Sequence, residues 1–378
     1  LATLVGGRFP GAIYPVNPSV VEGATIQGVR AYRNMAAIGR PVDLAMVAVP
    51  AALTLGALAE CAQVGVRGII VHSAGPTSSA DAFSAAIAAF VARTGIRVIG
   101  PNSEGIFSAL ERVAATFAPT LDARNMSPES IDSTDERPDR ISIVSQSGAL
   151  GFALYGMGVQ LGLGFRHVVT LGNEADVEVL EVIDHLVREG TSAAIVVFLE
   201  GFKRPERFGA VADRAADAGV PLVVMKVGRS VAGERAAVSH TAHLAGSDAA
   251  YDAMFRRHGV IRVADPEELM GVAAVLARRR LPRGRRVAIV TSTGGAGGWA
   301  ADLCAAVDLH VPELDTATRA TLAAVVPEYG STANPIDVTA HILEDGGRGM
   351  AVVLDEIERH RDIDAALVML NMATAGRV

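Results

Sequence analysis

The 378-residue sequence is half hydrophobic and carries a formal net charge of −7 with both signs intermixed. That length accommodates two or three domains with cores of their own, and the mixed, mildly acidic balance offers no basic face for nucleic acid. No apolar run approaches the ~18 residues needed to cross a bilayer. Cys61 and Cys304 stand far apart in helix-like segments with no signal peptide ahead of them, which favours a reducing, cytoplasmic setting.

The opening stretch, LATLVGGRFPGAIYPVNP, reads as the tail of a helix, a turn at Gly6 and Gly7, and a strand over 12–16. The sequence is therefore expected to begin inside a domain that lacks its first strand and first glycine loop. A regular series follows: strand 44–49, helix 53–64, strand 68–72, helix 80–94, strand 97–99 and then GPN. Apolar strands bounded by glycine and alternating with helices predict a doubly wound parallel sheet, whose strand ends carry ligand contacts.

Residues 121–140 have prolines, serines and both charges without an apolar period, so they read as a linker or surface excursion. Beyond them the alternation resumes, with strands at 141–144, 166–170, 194–199 and 220–224 and helices at 148–160, 177–189, 205–218 and 266–279. After the basic break RRRLPRGRR (278–286) a third series opens at Val287, and the sequence stops just past a strand at 365–370. This last domain is expected to be incomplete.

Two stretches repeat each other. ISIVSQSGALG (141–151) and VAIVTSTGGAGG (287–298) are apolar strands that break into Ser/Thr/Gly turns opening helices, with Gly151 aligned to Gly297. Such a turn is an anion cradle, because free backbone N–H groups and the positive end of the helix dipole converge on it. Ser145, Ser147 and Gly148 form the first cradle, and Thr293, Gly294 and Gly295 the second. Neither has the G-x-G-x-x-G pattern of a dinucleotide site or the G-K-[ST] ending of a P-loop. The plain alternative is that these turns only join strands to helices. Between them, residues 226–248 form a small-residue loop with two histidines, His240 and His243, and no apolar period. A histidine loop with two anion cradles points to a phosphorylated histidine.

Within that loop, SHTAHLAGSD (239–248) resembles the phosphohistidine loop of the NDP-forming acyl-CoA synthetases, the ADP-forming acetate–CoA ligase family related to the succinyl-CoA synthetase α subunit. YPVNP (14–18), VAVP (47–50), GPN (100–102), SQSGA (145–149) and NPIDVT (334–339) fall in the family's order. The resemblance implies an α/β architecture: a Rossmann-like CoA-binding domain over 1–125, a ligase domain over 140–280 and a second flavodoxin-like parallel-sheet domain over 286–378. It also implies interconversion of a carboxylic acid, CoA and ATP with acyl-CoA, ADP and phosphate through an acyl phosphate and a phosphohistidine.

By position, His240 resembles the family's phosphate carrier and Glu200 the carboxylate that hydrogen-bonds its ring. Neutral imidazole is a nucleophile near pH 7, and a carboxylate on one ring nitrogen fixes the tautomer that attacks through the other. The alternative for Glu200 is a strand-end carboxylate facing water. CoA is expected along the carboxyl edge of the first sheet, at Pro18, Val49, Pro50, Ser73, Gly75 and Asn102. ATP or ADP with Mg belongs to an ATP-grasp domain or subunit that this sequence does not contain, and the assembly is expected to be a homo- or hetero-oligomer. Glu174 stands where relatives often have a basic residue; facing an acyl group it disfavours an anionic tail, and surface exposure is the other reading. Lys226 and Arg229 either steer phosphate or are solvated. A zinc site on His240, His243 and Asp248 lacks a usable fourth ligand, and no metal site is expected. The rival readings are a CoA-binding regulatory or acyltransferase scaffold without phosphoryl transfer, and a dehydrogenase on the first domain.

Overall fold

In the computed structural model, residues 1–121, 140–233, 235, 247–343 and 346–370 are described. They divide into two compact units, Leu1–Arg280 and Leu281–Val378. His240, His243 and residues 122–139 of the expected linker lie outside the described residues.

The first unit begins with helix α1 (Ala2–Gly6) and a short antiparallel pair, β1 (Thr25–Ile26) and β2 (Val29–Arg30). No strand forms over 12–16; Val16 makes only an isolated parallel bridge to Tyr32. Pro15, in the middle of that stretch, lacks the N–H a ladder there needs. Then β3 (Leu44–Val47), α2 (Ala51–Gln63), β4 (Gly68–Val71), α3 (Ala80–Thr94) and β5 (Arg97–Ile99) alternate as the sequence predicts. They build a parallel sheet in the order β3-β4-β5. Ile69, Ile70 and Val71 of β4 are fully buried, as a central strand covered on both faces requires.

Two strands that sequence patterning misses follow directly. β6 (Gly105–Ser108) and β7 (Val113–Thr116) form an antiparallel hairpin and leave the small sheet altogether. They complete a seven-stranded sheet with β8 (Ile141–Ser145), β9 (Phe165–Thr170), β10 (Ala194–Leu199), β11 (Leu222–Lys226) and β12 (Ile261–Val263), in the order β12-β11-β10-β8-β9-β6-β7. Five strands are parallel, and β6 joins β9 antiparallel. Thr3 of α1 fastens the chain's start to this hairpin, donating from Oγ1 to the carbonyls of Ala114 and Thr116.

Helices α4 (Gly148–Gln160), α5 (Val179–Glu189), α6 (Phe208–Asp217), α7 (Asp248–Arg257) and α8 (Pro266–Ala277) connect and cover the seven-stranded sheet. Its two faces carry separate cores. One gathers Phe107, Phe152, Tyr155 and Phe165 with Leu269 and Met270 of α8; the other gathers Ile183, Leu186, Phe208 and Phe255 under α5 to α7. In β8 and β10 every residue is buried, the pattern of strands packed on both faces.

The second unit holds β13 (Val287–Thr291), α9 (Gly294–Ala306), α10 (Thr316–Leu322), β14 (Ile336–Asp337), α11 (Arg348–Arg359) and β15 (Ala365–Met369). Its parallel sheet runs β14-β13-β15 around a core of Val290, Leu322, Ile336 and Val353.

Candidate active site

The first cradle is built by one serine. Ser145, the last residue of β8, is fully buried; its Oγ donates to the Ser147 carbonyl at 2.5 Å and accepts from the Ser147 N–H at 3.1 Å. This ring bends the chain out of the strand so that Ser147 caps α4 in extended geometry. Ser145 therefore shapes the turn, while Ser147, Gly148 and Ala149 line a cleft of about 320 Å³.

The second cradle repeats this construction bond for bond inside its own unit. Thr291 Oγ1 donates to the Thr293 carbonyl at 3.1 Å and accepts from the Thr293 N–H at 3.2 Å, and Thr293 caps α9. The strand on one side also matches, with Leu171 N–H bonded to Ser145 O and Val338 N–H to Thr291 O. Gly151 and Gly297 serve the same packing need. A Cβ on Gly151 would lie 2.9 Å from Ser145 Cβ and Thr170 Cγ2, and one on Gly297 3.0 Å from Pro335 Cβ. The Ser/Thr-x-Ser/Thr-Gly-x-x-Gly spacing is thus the turn's blueprint, which is why the repeat is visible in the sequence.

Glu200 enters the cleft from the carboxyl end of β10. Its position is set by Gln146, a buried side chain with every polar atom engaged. Gln146 Oε1 accepts from the N–H groups of Glu200 (2.6 Å) and Gly201 (3.1 Å), and Nε2 donates to the Gly201 carbonyl (2.7 Å) and to Glu174 Oε2 (3.0 Å). Glu200 is half-buried, and its Oε2 is buried with no hydrogen-bond partner among the described residues. A buried carboxylate oxygen left without a donor is costly, and it marks a place where a donor belongs.

Two readings change. Glu174 neither faces an acyl group nor lies on the surface: it is 1% exposed, and its Oε1 accepts from the Val179 N–H at the start of α5. It is a structural carboxylate whose second oxygen holds Gln146. Lys226 is not solvated either; it is 3% exposed, bonded to the Val227 carbonyl, with Nζ 4.7 Å from the Tyr251 ring centroid. Asp248 pairs with Arg262.

Of the residues expected to meet CoA, Asn102 lines the cleft, on a left-handed backbone turn at φ 62° with its amide on Asn173 Oδ1. Val49, Pro50, Ser73 and Gly75 sit at the carboxyl edge of the β3-β4-β5 sheet outside that lining; Ser73 Oγ donates to the Val49 carbonyl, and Pro50 caps α2. Pro18 lies on the 17–20 turn, also outside it.

Sequence reasoning missed His72, Ser103, Glu104, Phe117 and Asn173, all of which line the cleft. His72 and Glu104 follow β4 and β5 at the carboxyl edge, where ligand contacts concentrate, and that position was the available signal. Phe117 had none, because it depends on the unanticipated hairpin. Burial lifts the Glu104 carboxyl above its ordinary value and pushes the His72 imidazole below its own, since each loses water in its charged form.

Comparison with known proteins follows this geometry. Residues 138–276 match the succinyl-CoA ligase like flavodoxin domain, and residues 3–109 match the CoA binding domain. Over 333 residues the sequence is 32% identical to the alpha subunit of acetate–CoA ligase [ADP-forming] II from Pyrococcus furiosus, covering 87% of this chain and 68% of that subunit. The chain belongs to the ADP-forming acetate–CoA ligase family. It is similar also to the Methanocaldococcus jannaschii acetate–CoA ligase [ADP-forming], 30% identical over 87% of this chain and 44% of the relative, so it spans less than half of that protein. Among solved structures, the dinucleotide forming acetyl-coenzyme A synthetase 1 of Ca. Korarchaeum cryptofilum, in complex with phosphate and ADP, superposes with a TM-score of 0.82 at 28% identity, over 97% of this chain and 75% of that one. Within the ligase family, then, this chain is the CoA-ligase portion: a Rossmann-like CoA-binding fold followed by flavodoxin-like domains.

Proposed function

We propose that this chain is the CoA-ligase part of an ADP-forming acyl-CoA synthetase, working through an acyl phosphate and a phosphohistidine at His240. The observation that carries the reading is the meeting, in one cleft, of the α4 N-terminus at Ser147–Gly148, the unsatisfied Glu200 carboxylate and Asn102 from the CoA-binding side. An acyl phosphate placed there has its phosphoryl oxygens on the helix N–H groups, which are preorganised for growing negative charge. Glu200 Oε2 supplies the acceptor that orients an imidazole N–H, leaving the other ring nitrogen to attack phosphorus.

CoA binds along the carboxyl edge of the β3-β4-β5 sheet, with Val49, Pro50, Ser73, Gly75 and Asn102 as contacts and Pro18, on the 17–20 turn, as a further one. The second cradle, at Thr293, Gly294 and Gly295, serves as a phosphate site of its own. ATP or ADP with Mg is handled by an ATP-grasp domain or subunit, with which this chain assembles, and the substrate is a small carboxylic acid. Cys61 and Cys304 are both free and buried, in keeping with a cytoplasmic setting.

The testing experiment supplies the ATP-grasp partner, a panel of carboxylic acids, CoA and ATP, and follows products. Acyl-CoA with ADP and phosphate supports the reading. Acyl-CoA with AMP and pyrophosphate, or no CoA ester from any acid, overturns it.

A further inference from the structure

His72 stands at the end of β4, on the side of the cleft that belongs to the CoA-binding fold, with the α4 cradle among the groups lining the same cleft. Its Nδ1 lies 2.8 Å from the Ser103 carbonyl oxygen. A carbonyl only accepts, so Nδ1 carries the proton and Nε2 of the neutral ring is a lone-pair acceptor. That Nε2 is buried and has no hydrogen-bond partner among the described residues. The ring is held on its other side by Phe117, edge-on at a centroid distance of 5.2 Å. A basic nitrogen fixed in tautomer and orientation, and left without a donor, is the equipment of a proton acceptor.

Resting on the synthetase reading above, we propose that His72 Nε2 takes the proton of the CoA thiol as the sulfur attacks the acyl phosphate. The S–H bond breaks toward Nε2, and the sulfur lone pair forms the C–S bond at the acyl carbon. The C–O bond to phosphate breaks, phosphate leaves with that electron pair, and the imidazolium then returns its proton to the departing phosphate or to water. Thiolates, not thiols, are the competent nucleophiles, and an unassisted thiol is mostly protonated at neutral pH. Burial, which penalises the charged form, keeps the imidazole neutral and able to accept a proton near pH 7. The carboxylates lining the same cleft are Glu104 and Glu200; the imidazolium formed in the step is the cation they favour. The Phe117 ring, 62% exposed, lines the cleft beside His72.

The test is the nucleotide-free half-reaction of the whole chain with acetyl phosphate and CoA, compared with phosphoryl transfer from acetyl phosphate to the protein, in which no thiol reacts. In His72→Gln, thioester formation at pH 7 is expected to fall by about 10²-fold or more through kcat, with the CoA KM little changed. The deficit should shrink as pH rises into the thiol range near ~8.5, and protein phosphorylation should keep its wild-type rate. An unaltered rate and pH profile in His72→Gln, or equal losses in both half-reactions, overturns the assignment of His72. Wild-type protein that makes no thioester from acetyl phosphate or from the acyl phosphate of any other acid in the panel overturns the synthetase reading itself.

Discussion

Gln146 Oε1 accepts a 2.6 Å hydrogen bond from the backbone N–H of Glu200, joining the turn that opens α4 after β8 to the carboxylate at the end of β10. The two residues are 54 positions apart in sequence but each directly follows one of two adjacent parallel strands, β8 and β10, where Phe198 and Ser145 are paired. Glu174 holds the other end of Gln146, so the cradle, the carboxylate and the start of α5 are fixed by one buried chain of hydrogen bonds.

Gln146→Leu fills the same volume but leaves the Glu200 and Gly201 N–H groups and Glu174 Oε2 short of partners. A loss of about 1–3 kcal/mol for each such buried group is the ordinary scale, so the unfolding midpoint in urea should drop clearly. Phosphorylation of the protein should slow as well, because Glu200 loses its anchor. A variant with the wild-type midpoint and labelling rate would contradict this role.

Gly151→Ala places a methyl 2.9 Å from both Ser145 Cβ and Thr170 Cγ2. Overpacking of this kind costs about 1–3 kcal/mol, and here the displaced atom belongs to the serine that shapes the cradle. Gly298→Ala, with open space at its Cβ, serves as the control and should gain rather than lose stability, by up to about 1 kcal/mol, since Ala is the better helix former. Equal effects of the two substitutions on the midpoint would contradict the packing account.

The Glu104 carboxyl has its value raised by burial above the ordinary 4.5. A raised carboxyl means that the folded protein binds this proton more tightly than the unfolded chain does. Its ionisation therefore opposes folding once pH passes the folded value, and the cost is absent below the unfolded one. Glu104→Gln should raise the unfolding midpoint at pH 7 to 8, and the gain should fade as pH falls through the raised folded value and be gone below about 4.5. The same substitution removes a carboxylate from beside Gly148 and should tighten phosphate binding. A gain that is flat with pH, or weaker phosphate binding, would contradict both statements.

The alternation of strands and helices was legible because it rests on local patterning: the elements from β3 to β5, from β8 to β11, and α8 and β13 stand within a few residues of where periodicity puts them, whereas α7 and β12 were not anticipated. The two cradles were legible for the same reason, since Ser145/Ser147 and Thr291/Thr293 form their turns from neighbours two residues apart. What depends on distant pairing was not. The β6–β7 hairpin carries Phe107 into the larger sheet's core, and nothing in GIFSALERVAAT announces which sheet it joins. Glu174 lacked any local sign that Gln146, 28 residues earlier, would bury it. His72 and Phe117, 45 positions apart in sequence, become neighbours only through that hairpin.

Glu200→Gln preserves shape while removing the charge that, in the proposed function, supports an imidazolium-like transition state. Phosphorylation of the protein should slow by roughly 10²-fold, the scale of losing one electrostatic contact to developing charge, with the unfolding midpoint at or above wild type because the charge beside the buried, unpartnered Oε2 is gone. Labelling at the wild-type rate would remove Glu200 from the site.

The central claim is phosphoryl transfer through His240, and the direct measurement is covalent labelling. Incubated with its ATP-grasp partner, Mg and γ-labelled ATP, the protein should acquire acid-labile, base-stable phosphate that maps to His240. His240→Ala should abolish both the label and acyl-CoA synthesis, and His243→Ala should retain them. Normal labelling of His240→Ala, with loss in His243→Ala, would contradict the assignment of the carrier.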